Sequence, residues 1–215
     1  MKIVITGVIG CGKTFFCKVL KERYGYTIVE EHINHAKLQE YYSDPERYAY
    51  TFQMYHLDKR LKAYNEQTNT DVTIYDQSIH TDIVYGNANR NEMGEMYAEY
   101  LKKYNECIQT VENPHYIIYL KCTPEVCLKR IQTRNRSGES NISIEYLRKL
   151  NNLYDTEWME MMKKHDINVI TLDWNDIVSE KNIIRIWEKQ QYSNGKIFVY
   201  SMIFSFFVLL CCKLY

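Results

Sequence analysis

Five short apolar runs, rich in β-branched and aromatic residues, are separated along the chain by longer stretches with helical periodicity. The runs are Lys2 to Thr6, Tyr26 to Val29, Val72 to Tyr75, Tyr116 to Leu120 and Val169 to Leu172. Near-continuous apolar strands that alternate with helices are typical of a parallel sheet covered on both faces. The pattern therefore predicts one α/β domain with three αβα layers around a five-stranded parallel sheet.

A long helix is predicted between the second and third strands, beginning at Pro45 and continuing to Leu61. Proline is favoured in the first helical turn, where its missing N–H is not needed. Asp44 precedes it with a side chain that can accept a hydrogen bond from a free backbone N–H of that turn. We expect Asp44 to be the N-cap.

The end of the chain has a different composition. Between Lys196 and Lys213 it contains sixteen residues without a charge, whereas a membrane helix needs about 20 apolar residues. The pattern leaves two interpretations open: a membrane anchor over residues 197–212, or a buried C-terminal segment that packs within the protein or between protomers. The sequence predicts a folded domain over residues 1–191, followed by a linker and apolar tail over residues 192–215.

Charge and cysteine content narrow the functional class. The chain has 27 Lys and Arg residues and 27 Asp and Glu residues, so no global basic field indicates nucleic-acid binding. Its seven cysteines are scattered without a C-x-x-C pair, which favours reduced thiols in a cytoplasmic compartment over disulfides or zinc. We expect a cytoplasmic domain, with anchoring by the tail as the open alternative.

A phosphate-binding motif follows the first strand. The sequence GVIGCGKT fits GxxxxGK[ST], with a strand before it and an amphipathic helix after it. Gly7, Gly10 and Gly12 let backbone N–H groups converge on phosphates, Lys13 reaches the β and γ phosphates, and Thr14 ligates Mg²⁺. A tight turn alone would explain a glycine but not the lysine and threonine. The motif predicts binding of ATP and Mg²⁺.

Carboxylates follow the second and third strands, where ligands of parallel sheets gather. Glu30 and Glu31 come after the second strand, and one of them is suited to act as a general base. Asp76 ends the third strand and is a candidate Mg²⁺ ligand together with Thr14. For Asp76 alone, a solvated loop residue or helix cap is the alternative interpretation.

Three arginines lie within seven residues after the fourth strand: Arg130, Arg134 and Arg136. They occur where a predicted helix gives way to a polar Gly/Ser loop. Arginines in such a place can close over a transferring phosphoryl group and stabilise its charge. A solvated basic helix end is the alternative, and the P-loop favours a catalytic lid.

Three segments of the chain resemble the deoxyribonucleoside kinase family, which includes deoxycytidine, deoxyguanosine and deoxyadenosine kinases. They are YSDPERYAYTFQ from Tyr42 to Gln53, CTPEVCLKR from Cys122 to Arg130 with the arginines after it, and IEYL from Ile144 to Leu147. The likeness extends from residue 1 to about residue 190. It implies a P-loop kinase version of the three-layer fold, with an arginine-bearing lid and an additional apolar C-terminal segment.

The resemblance also implies how a deoxynucleoside would be held. Glu31 would be the base that takes the proton of the 5′-hydroxyl, and Tyr42 and Glu139 would hold the 3′-hydroxyl. Gln53 would hydrogen-bond the nucleobase edge while Phe52 packs on its ring.

A second group of roles follows from the same resemblance. Arg60 and Asp82 would pair at the far side of the base, an arrangement that favours deoxyadenosine, deoxyguanosine or deoxycytidine over thymidine. Asp173 lies in a stretch that resembles the loop at the donor base. A homodimer is the assembly that the resemblance implies.

The chain departs from the family pattern near these residues. Gln77 stands where the family has an arginine near the 5′-oxygen, and loss of such a cation can cost several kcal/mol of transition-state stabilisation. An E-P-[VM] motif is replaced by Glu31-His32-Ile33. His56 replaces a small residue, and Gly86 replaces an aromatic residue.

The sequence thus predicts an ATP-dependent deoxynucleoside kinase that phosphorylates the 5′-hydroxyl of a deoxyribonucleoside. Two other functions stay open. The first is a non-catalytic nucleotide-binding protein on the same scaffold, in which Gln77 in place of the family arginine has abolished catalysis. A nucleoside monophosphate kinase would bind a second phosphate near the carboxylates, where their charge opposes it.

Overall fold

All five predicted strands form one parallel sheet in the computed structural model. The structure describes residues 1–66, 68, 70–136, 139, 141–176 and 179–193, without the side chains of 191–193. The strands are β1 (Lys2–Thr6), β2 (Thr27–Val29), β3 (Thr73–Asp76), β4 (Tyr116–Lys121) and β5 (Val169–Asp173). The predicted fold class is confirmed.

The strand order is β2-β3-β1-β4-β5, which places β1 at the centre of the sheet. Ile5 of β1 pairs with Asp76 of β3 and with Ile118 of β4. Because all neighbours run in parallel, the P-loop after β1 and the carboxylates after β2 and β3 lie at the same edge. The middle strands are buried, consistent with their continuous apolar sequences.

Within the described ranges, ten α-helices connect and follow the strands. They are α1 (Lys13–Tyr24), α2 (His35–Ser43), α3 (Pro45–Asn65), α4 (Asp82–Ala88), α5 (Arg90–Met93), α6 (Tyr97–Ile108), α7 (Pro124–Arg134), α8 (Ile144–Leu153), α9 (Met159–Lys164) and α10 (Glu180–Ser193). A π-helical segment, Tyr154–Trp158, joins α8 to α9. The predicted start of α3 is confirmed, since the Asp44 side chain accepts a 3.2 Å hydrogen bond from the Arg47 backbone N–H.

Aromatic packing fixes the π-helical segment beside the sheet. Tyr154 stacks on Tyr119 of β4 at 5.2 Å, and Trp158 meets both rings edge-on. All three side chains are almost fully buried. Large buried rings of this kind contribute strongly to the hydrophobic core and position the Tyr154 hydroxyl near the end of β1.

The chain divides into two compact units, Met1–Asp176 and Ile177–Tyr215. The second unit contains α10. Among the described residues, no helix is both long and apolar enough to cross a membrane. The apolar tail over residues 197–212 lies outside the described residues, so the anchor stays a prediction, as do the domain limits 1–191 and 192–215.

Candidate active site

The loop between β1 and α1 has the backbone of a phosphate cradle. Gly7, Gly10 and Gly12 all adopt positive φ, at 148°, 83° and 104°. A Cβ on Gly10 would lie 2.7 Å from the Cys127 carbonyl oxygen, so this position requires glycine. The Lys13 ammonium is buried and donates to the Gly7 carbonyl oxygen at 3.1 Å. The glycines and the lysine thus have the arrangement that a phosphate-binding loop requires.

Thr14 and Asp76 meet at the start of α1. The Thr14 hydroxyl donates to Asp76 Oδ2 at 2.6 Å, while Asp76 Oδ1 is buried without a hydrogen-bond partner among the described residues. Burial raises the pKa of Asp76, and Lys13 opposes that change. A buried carboxylate oxygen beside a hydroxyl suits Mg²⁺, which takes few protein ligands and keeps several waters. These two residues fit the predicted ion.

Glu31 follows β2 and lies close to the P-loop lysine, whereas its neighbour Glu30 is exposed. The Arg60 guanidinium from α3 donates to Glu31 Oε1 at 2.5 Å. Burial alone would raise the pKa of Glu31, but the charges of Arg60 and Lys13 outweigh it and lower that pKa. Glu31 is thus an ionised carboxylate that is held by Arg60 and lies within electrostatic range of Lys13.

One face of α3 presents polar side chains to Asp82, the first residue of α4. Gln53 and Arg60 are seven residues apart, which places them on the same side of a helix. Gln53 Nε2 donates to Asp82 Oδ2 at 2.9 Å, and Arg60 Nη1 donates to Asp82 Oδ1 at 2.5 Å. The Tyr100 hydroxyl donates to Oδ2 at 2.8 Å. Asp82 is fully buried, and these donors compensate its charge.

His56 lies between Gln53 and Arg60 on that face. It is 8% exposed, and its Nε2 has no hydrogen-bond partner among the described residues. Burial and the Arg60 charge lower the pKa of His56 to about 4. The imidazole is therefore neutral at pH 7. Phe52 packs edge-on against it, with ring centroids 4.5 Å apart.

Tyr42 lies at the end of α2, beside the aromatic stack of Tyr41 and Phe52. The Tyr41 and Phe52 rings are nearly parallel at 4.8 Å, and the Tyr42 ring is 5.2 Å from Tyr41. Burial raises the pKa of Tyr42, and the charges of Tyr41 and Glu139 add to this change. Tyr42 and Glu139, the two residues predicted to hold a 3′-hydroxyl, are thus within electrostatic range of each other.

Glu139 is also the partner of two predicted lid arginines. Arg134 donates to both carboxylate oxygens, at 2.7 and 2.8 Å, and Arg136 lies 3.6 Å from Oε1. The carboxylate is 7% exposed, whereas the two arginines are about 40% exposed. Fork-like pairing fixes Arg134 against Glu139.

Arg130 has different contacts from the other two arginines. It donates to the carbonyl oxygens of Cys11 at 2.9 Å, Trp174 at 3.0 Å and Asn175 at 2.9 Å. It therefore connects the P-loop to the loop after β5. Asp173 ends β5 with an exposed side chain that accepts hydrogen bonds from Asn175. Binding of the transferring phosphoryl group by Arg130 and binding of the ATP base by Asp173 therefore remain predictions from the sequence.

A cavity of about 280 Å³ opens beside Glu31. Its polar lining includes side chains of α3 and the ends of β2 and β3, namely Glu30, Glu31, His56, Arg60, Asp76 and Gln77. The candidate base, the candidate Mg²⁺ ligand and the guanidinium thus face one space at the carboxyl ends of the strands.

A family model described as deoxynucleoside kinase matches residues 3–192. The chain belongs to the deoxynucleoside kinase family. It is 30% identical over 207 residues to deoxyadenosine kinase of Dictyostelium discoideum, covering 89% of this chain and 81% of that relative. It is 32% identical over 184 residues to deoxyguanosine kinase of the same organism, covering 81% of this chain and 64% of that relative.

Solved structures give the same result. Deoxyadenosine kinase from M. mycoides with bound dATP has a TM-score of 0.78 and 25% identity, covering 89% of this chain and 100% of that chain. The predicted resemblance is therefore confirmed at the level of the family. The relatives are deoxynucleoside kinases, which supports a nucleoside-phosphorylating activity for this family member.

Gln77 departs from the family pattern and forms several hydrogen bonds at the candidate site. Its Oε1 accepts from the hydroxyls of Thr6 and Thr81, both at 2.8 Å, and its Nε2 donates to the Tyr85 hydroxyl at 3.1 Å. It has a φ of 70°, a conformation that strains a side-chain-bearing residue. Gln77 therefore holds β1, β3 and α4 together.

Tyr100 is a site residue that the sequence did not predict, and Gly86 makes room for it. A Cβ at Gly86 would lie 2.1 Å from the Tyr100 ring, so the glycine leaves space for that ring. Tyr100 comes from α6 and reaches Asp82 through its hydroxyl. The available signal was the glycine in α4, where the family resemblance implied an aromatic residue. Here an aromatic ring from another helix packs on the glycine.

Proposed function

We propose that the protein transfers the γ-phosphoryl group of ATP to the 5′-hydroxyl of a deoxyribonucleoside. The main support for this proposal is that Glu31, Lys13 and the Thr14–Asp76 pair lie at one edge of the sheet. Lys13 affects the pKa of both carboxylates, which are therefore within electrostatic reach of the P-loop. A phosphate donor in the cradle and a hydroxyl beside Glu31 would meet in this space.

Glu31 is the proposed general base. A low pKa keeps it ionised at pH 7, so it can accept the proton of the 5′-hydroxyl as the oxygen bonds to phosphorus. Lys13 and the lid arginines stabilise the charge on the phosphoryl oxygens. Mg²⁺ held by Thr14 and Asp76 would neutralise charge on the donor phosphates. Most of the rate enhancement comes from positioning and electrostatics.

The acceptor base is proposed to be read by Gln53. Its amide nitrogen faces Asp82, so the amide orientation is fixed. Nε2 also donates to the Asp82 backbone oxygen in a longer contact of 3.4 Å. A ring-nitrogen acceptor would replace that contact, and the amide oxygen would accept from the exocyclic amine beside it, as in adenine and cytosine. Thymine would require the reversed amide, with its oxygen aimed at the Asp82 carboxylate. Deoxyadenosine and deoxycytidine are thus favoured over thymidine. Deoxyguanosine is expected between them, because its exocyclic amine can donate to the Gln53 oxygen but its neighbouring ring nitrogen carries a proton.

The sugar and the donor base complete the proposed complex. Tyr42 and Glu139 are proposed to hold the 3′-hydroxyl, since they are electrostatically coupled neighbours. Phe52, fixed by its stack on Tyr41, is proposed to pack on the acceptor base. Asp173 is proposed to contact the base of ATP. A homodimer is the proposed assembly.

Substitution of the proposed base tests this function. Glu31→Gln should lower kcat by roughly 100-fold or more, because proton transfer to a positioned carboxylate is removed. Deoxynucleoside affinity, measured by titration calorimetry, should stay within about threefold, because the amide keeps the shape of the side chain.

Glu40→Gln is the matched control, since Glu40 is an exposed carboxylate of α2 that does not line the cavity. Its kcat should equal that of the unmodified protein. Near-normal turnover by a folded Glu31→Gln protein would contradict the assignment of Glu31 and transfer the role of base to Glu30, provided that Glu30→Gln is impaired.

A further inference from the structure

Four polar side chains form a continuous chain from the proposed nucleobase reader to the proposed catalytic base. Gln53 contacts Asp82 at 2.9 Å, Asp82 contacts Arg60 at 2.5 Å, and Arg60 contacts Glu31 at 2.5 Å. The side chains of Arg60 and Asp82 are 9% and 0% exposed. The ion pairs are therefore screened less by salt than surface pairs, and removal of one partner would leave an uncompensated buried charge.

Arg60 divides one positive charge between two carboxylates. Its Nη1 is directed to Asp82 and its Nη2 to Glu31, so each carboxylate receives a different arm of the guanidinium. The planar fork holds both carboxylates in fixed directions, which a lysine could not do. The Tyr85 ring lies 5.1 Å from the guanidinium carbon and restricts its position further.

Because Gln77 is a neutral amide, Glu31 depends on Arg60 and Lys13 for positive charge. Gln77 provides no charge to Glu31, and its amide groups are used by Thr6, Thr81 and Tyr85. Arg60 is the cation with the largest effect on Glu31, followed by Lys13. The other titratable groups that face Glu31 are His56 from α3, Asp76 from β3 and Tyr85 from α4.

We propose that Arg60 is a positioning residue that orients Glu31 and couples it to the nucleobase reader through Asp82. This inference rests on the proposed function. A base that engages Gln53 and Asp82 changes how firmly Asp82 holds Arg60, and thereby how firmly Arg60 holds Glu31. Recognition of the correct base and preparation of the catalytic carboxylate are one event in this account.

The test is the pH profile of kcat/KM for deoxyadenosine in Arg60→Gln, Arg60→Lys and Asp82→Asn. In Arg60→Gln, the acidic limb should move to higher pH by about one unit, because Glu31 loses its main counter-charge. The kcat value should fall by about tenfold or more. In Asp82→Asn, the limb should move to lower pH, because Arg60 no longer divides its charge between two carboxylates.

Arg60→Lys covers the case in which Arg60→Gln does not fold. It should keep the limb near its original pH while kcat falls by about tenfold, because the charge remains but the fork geometry is lost. Arg47→Gln is the control, an exposed arginine of the same helix. Its profile should be unchanged. Circular dichroism checks the fold of each variant.

Two failures are distinguishable. If the unmodified protein phosphorylates a deoxynucleoside but folded Arg60→Gln or Arg60→Lys changes only KM, with the limb and kcat unaltered, Arg60 acts on the nucleobase alone and this inference is wrong. If the unmodified protein phosphorylates no deoxynucleoside, the proposed function is wrong, and the inference that rests on it is wrong as well.

Discussion

Gly10 adopts a left-handed backbone conformation on which the shape of the P-loop depends. Its φ is 83°, and the Cys127 carbonyl oxygen lies 2.7 Å from the place that a Cβ would take, so alanine would be both strained and sterically blocked. We expect Gly10→Ala to lower the free energy of unfolding by about 1–3 kcal/mol. ATP affinity should fall by roughly tenfold or more, because the N–H groups of the cradle are displaced. Chemical denaturation and calorimetry measure the two effects.

Gly25→Ala separates backbone strain from steric blocking. Gly25 ends α1 with a φ of 70°, and no atom of the described residues lies within 4 Å of the position that its Cβ would take. The variant should therefore lose stability by about 1 kcal/mol while ATP affinity stays unchanged. Equal ATP affinity in Gly10→Ala and in the unmodified protein would contradict the assigned role of the P-loop.

At the residue scale, the sequence predicted types of residue better than their contacts. The motif spacing placed Lys13 and Thr14 on a helix start, and the strand end placed Asp76 beside Thr14, as their hydrogen bond shows. The contact between Arg60 and Glu31 was not predicted. It depends on how closely α3 packs on the end of β2, and that distance is set by side-chain packing rather than by local sequence.

Packing between α4 and α6 depends on Gly86, which has no side chain to occupy the space of the Tyr100 ring. The Tyr100 ring occupies the space beside Gly86, where a methyl group would lie 2.1 Å from it. We expect Gly86→Ala to destabilise the protein by about 1–3 kcal/mol, because the ring must move in a close-packed core. The Tyr100 bond to Asp82 should be lost with it.

A double-mutant cycle measures this contact. Gly86→Ala combined with Tyr100→Leu should be less destabilised than the sum of the two single variants, because the smaller side chain relieves the clash. Strict additivity of the three free energies of unfolding, obtained by urea denaturation, would mean that the ring and the glycine do not limit each other.

At the element scale, periodicity was sufficient for the sheet and insufficient for the helices around the site. Each predicted strand agrees with the observed one to within one residue at either end, because buried parallel strands are continuous apolar runs. Helix α5 has four residues and the π-helical segment before α9 has five, so both are too short for a hydrophobic period to be recognised in the sequence. Their geometry follows from tertiary contacts such as the Tyr119–Tyr154 stack.

Buried histidines make the stability of the whole molecule depend on pH. Burial lowers the pKa of both His56 and His80 to about 4 from the ordinary 6.5. Above pH 6.5 the two histidines are mostly neutral in both the folded and the unfolded protein. As the pH falls from 6.5 to 4, the unfolded chain binds protons that the folded protein does not, so stability decreases by about 1.4 kcal/mol per pH unit for each histidine.

His80→Asn isolates one of these contributions. His80 is fully buried, with Nδ1 3.2 Å from the Ser78 hydroxyl and Lys2 and His165 as nearby charges. The slope of unfolding free energy against pH between 6.5 and 4 should be smaller in the variant by about 1.4 kcal/mol per pH unit. Identical slopes would show that His80 titrates normally in the folded state.

The function proposed for the whole molecule is transfer of a phosphoryl group from ATP to a deoxynucleoside. The most direct measurement is product analysis by mass spectrometry after incubation of the protein with ATP, Mg²⁺ and each of the four deoxynucleosides. We expect 5′-monophosphates as products, with kcat/KM highest for deoxyadenosine and deoxycytidine, lower for deoxyguanosine and lowest for thymidine. Folded protein that binds ATP but yields no deoxynucleoside monophosphate from any of the four would contradict the proposed function.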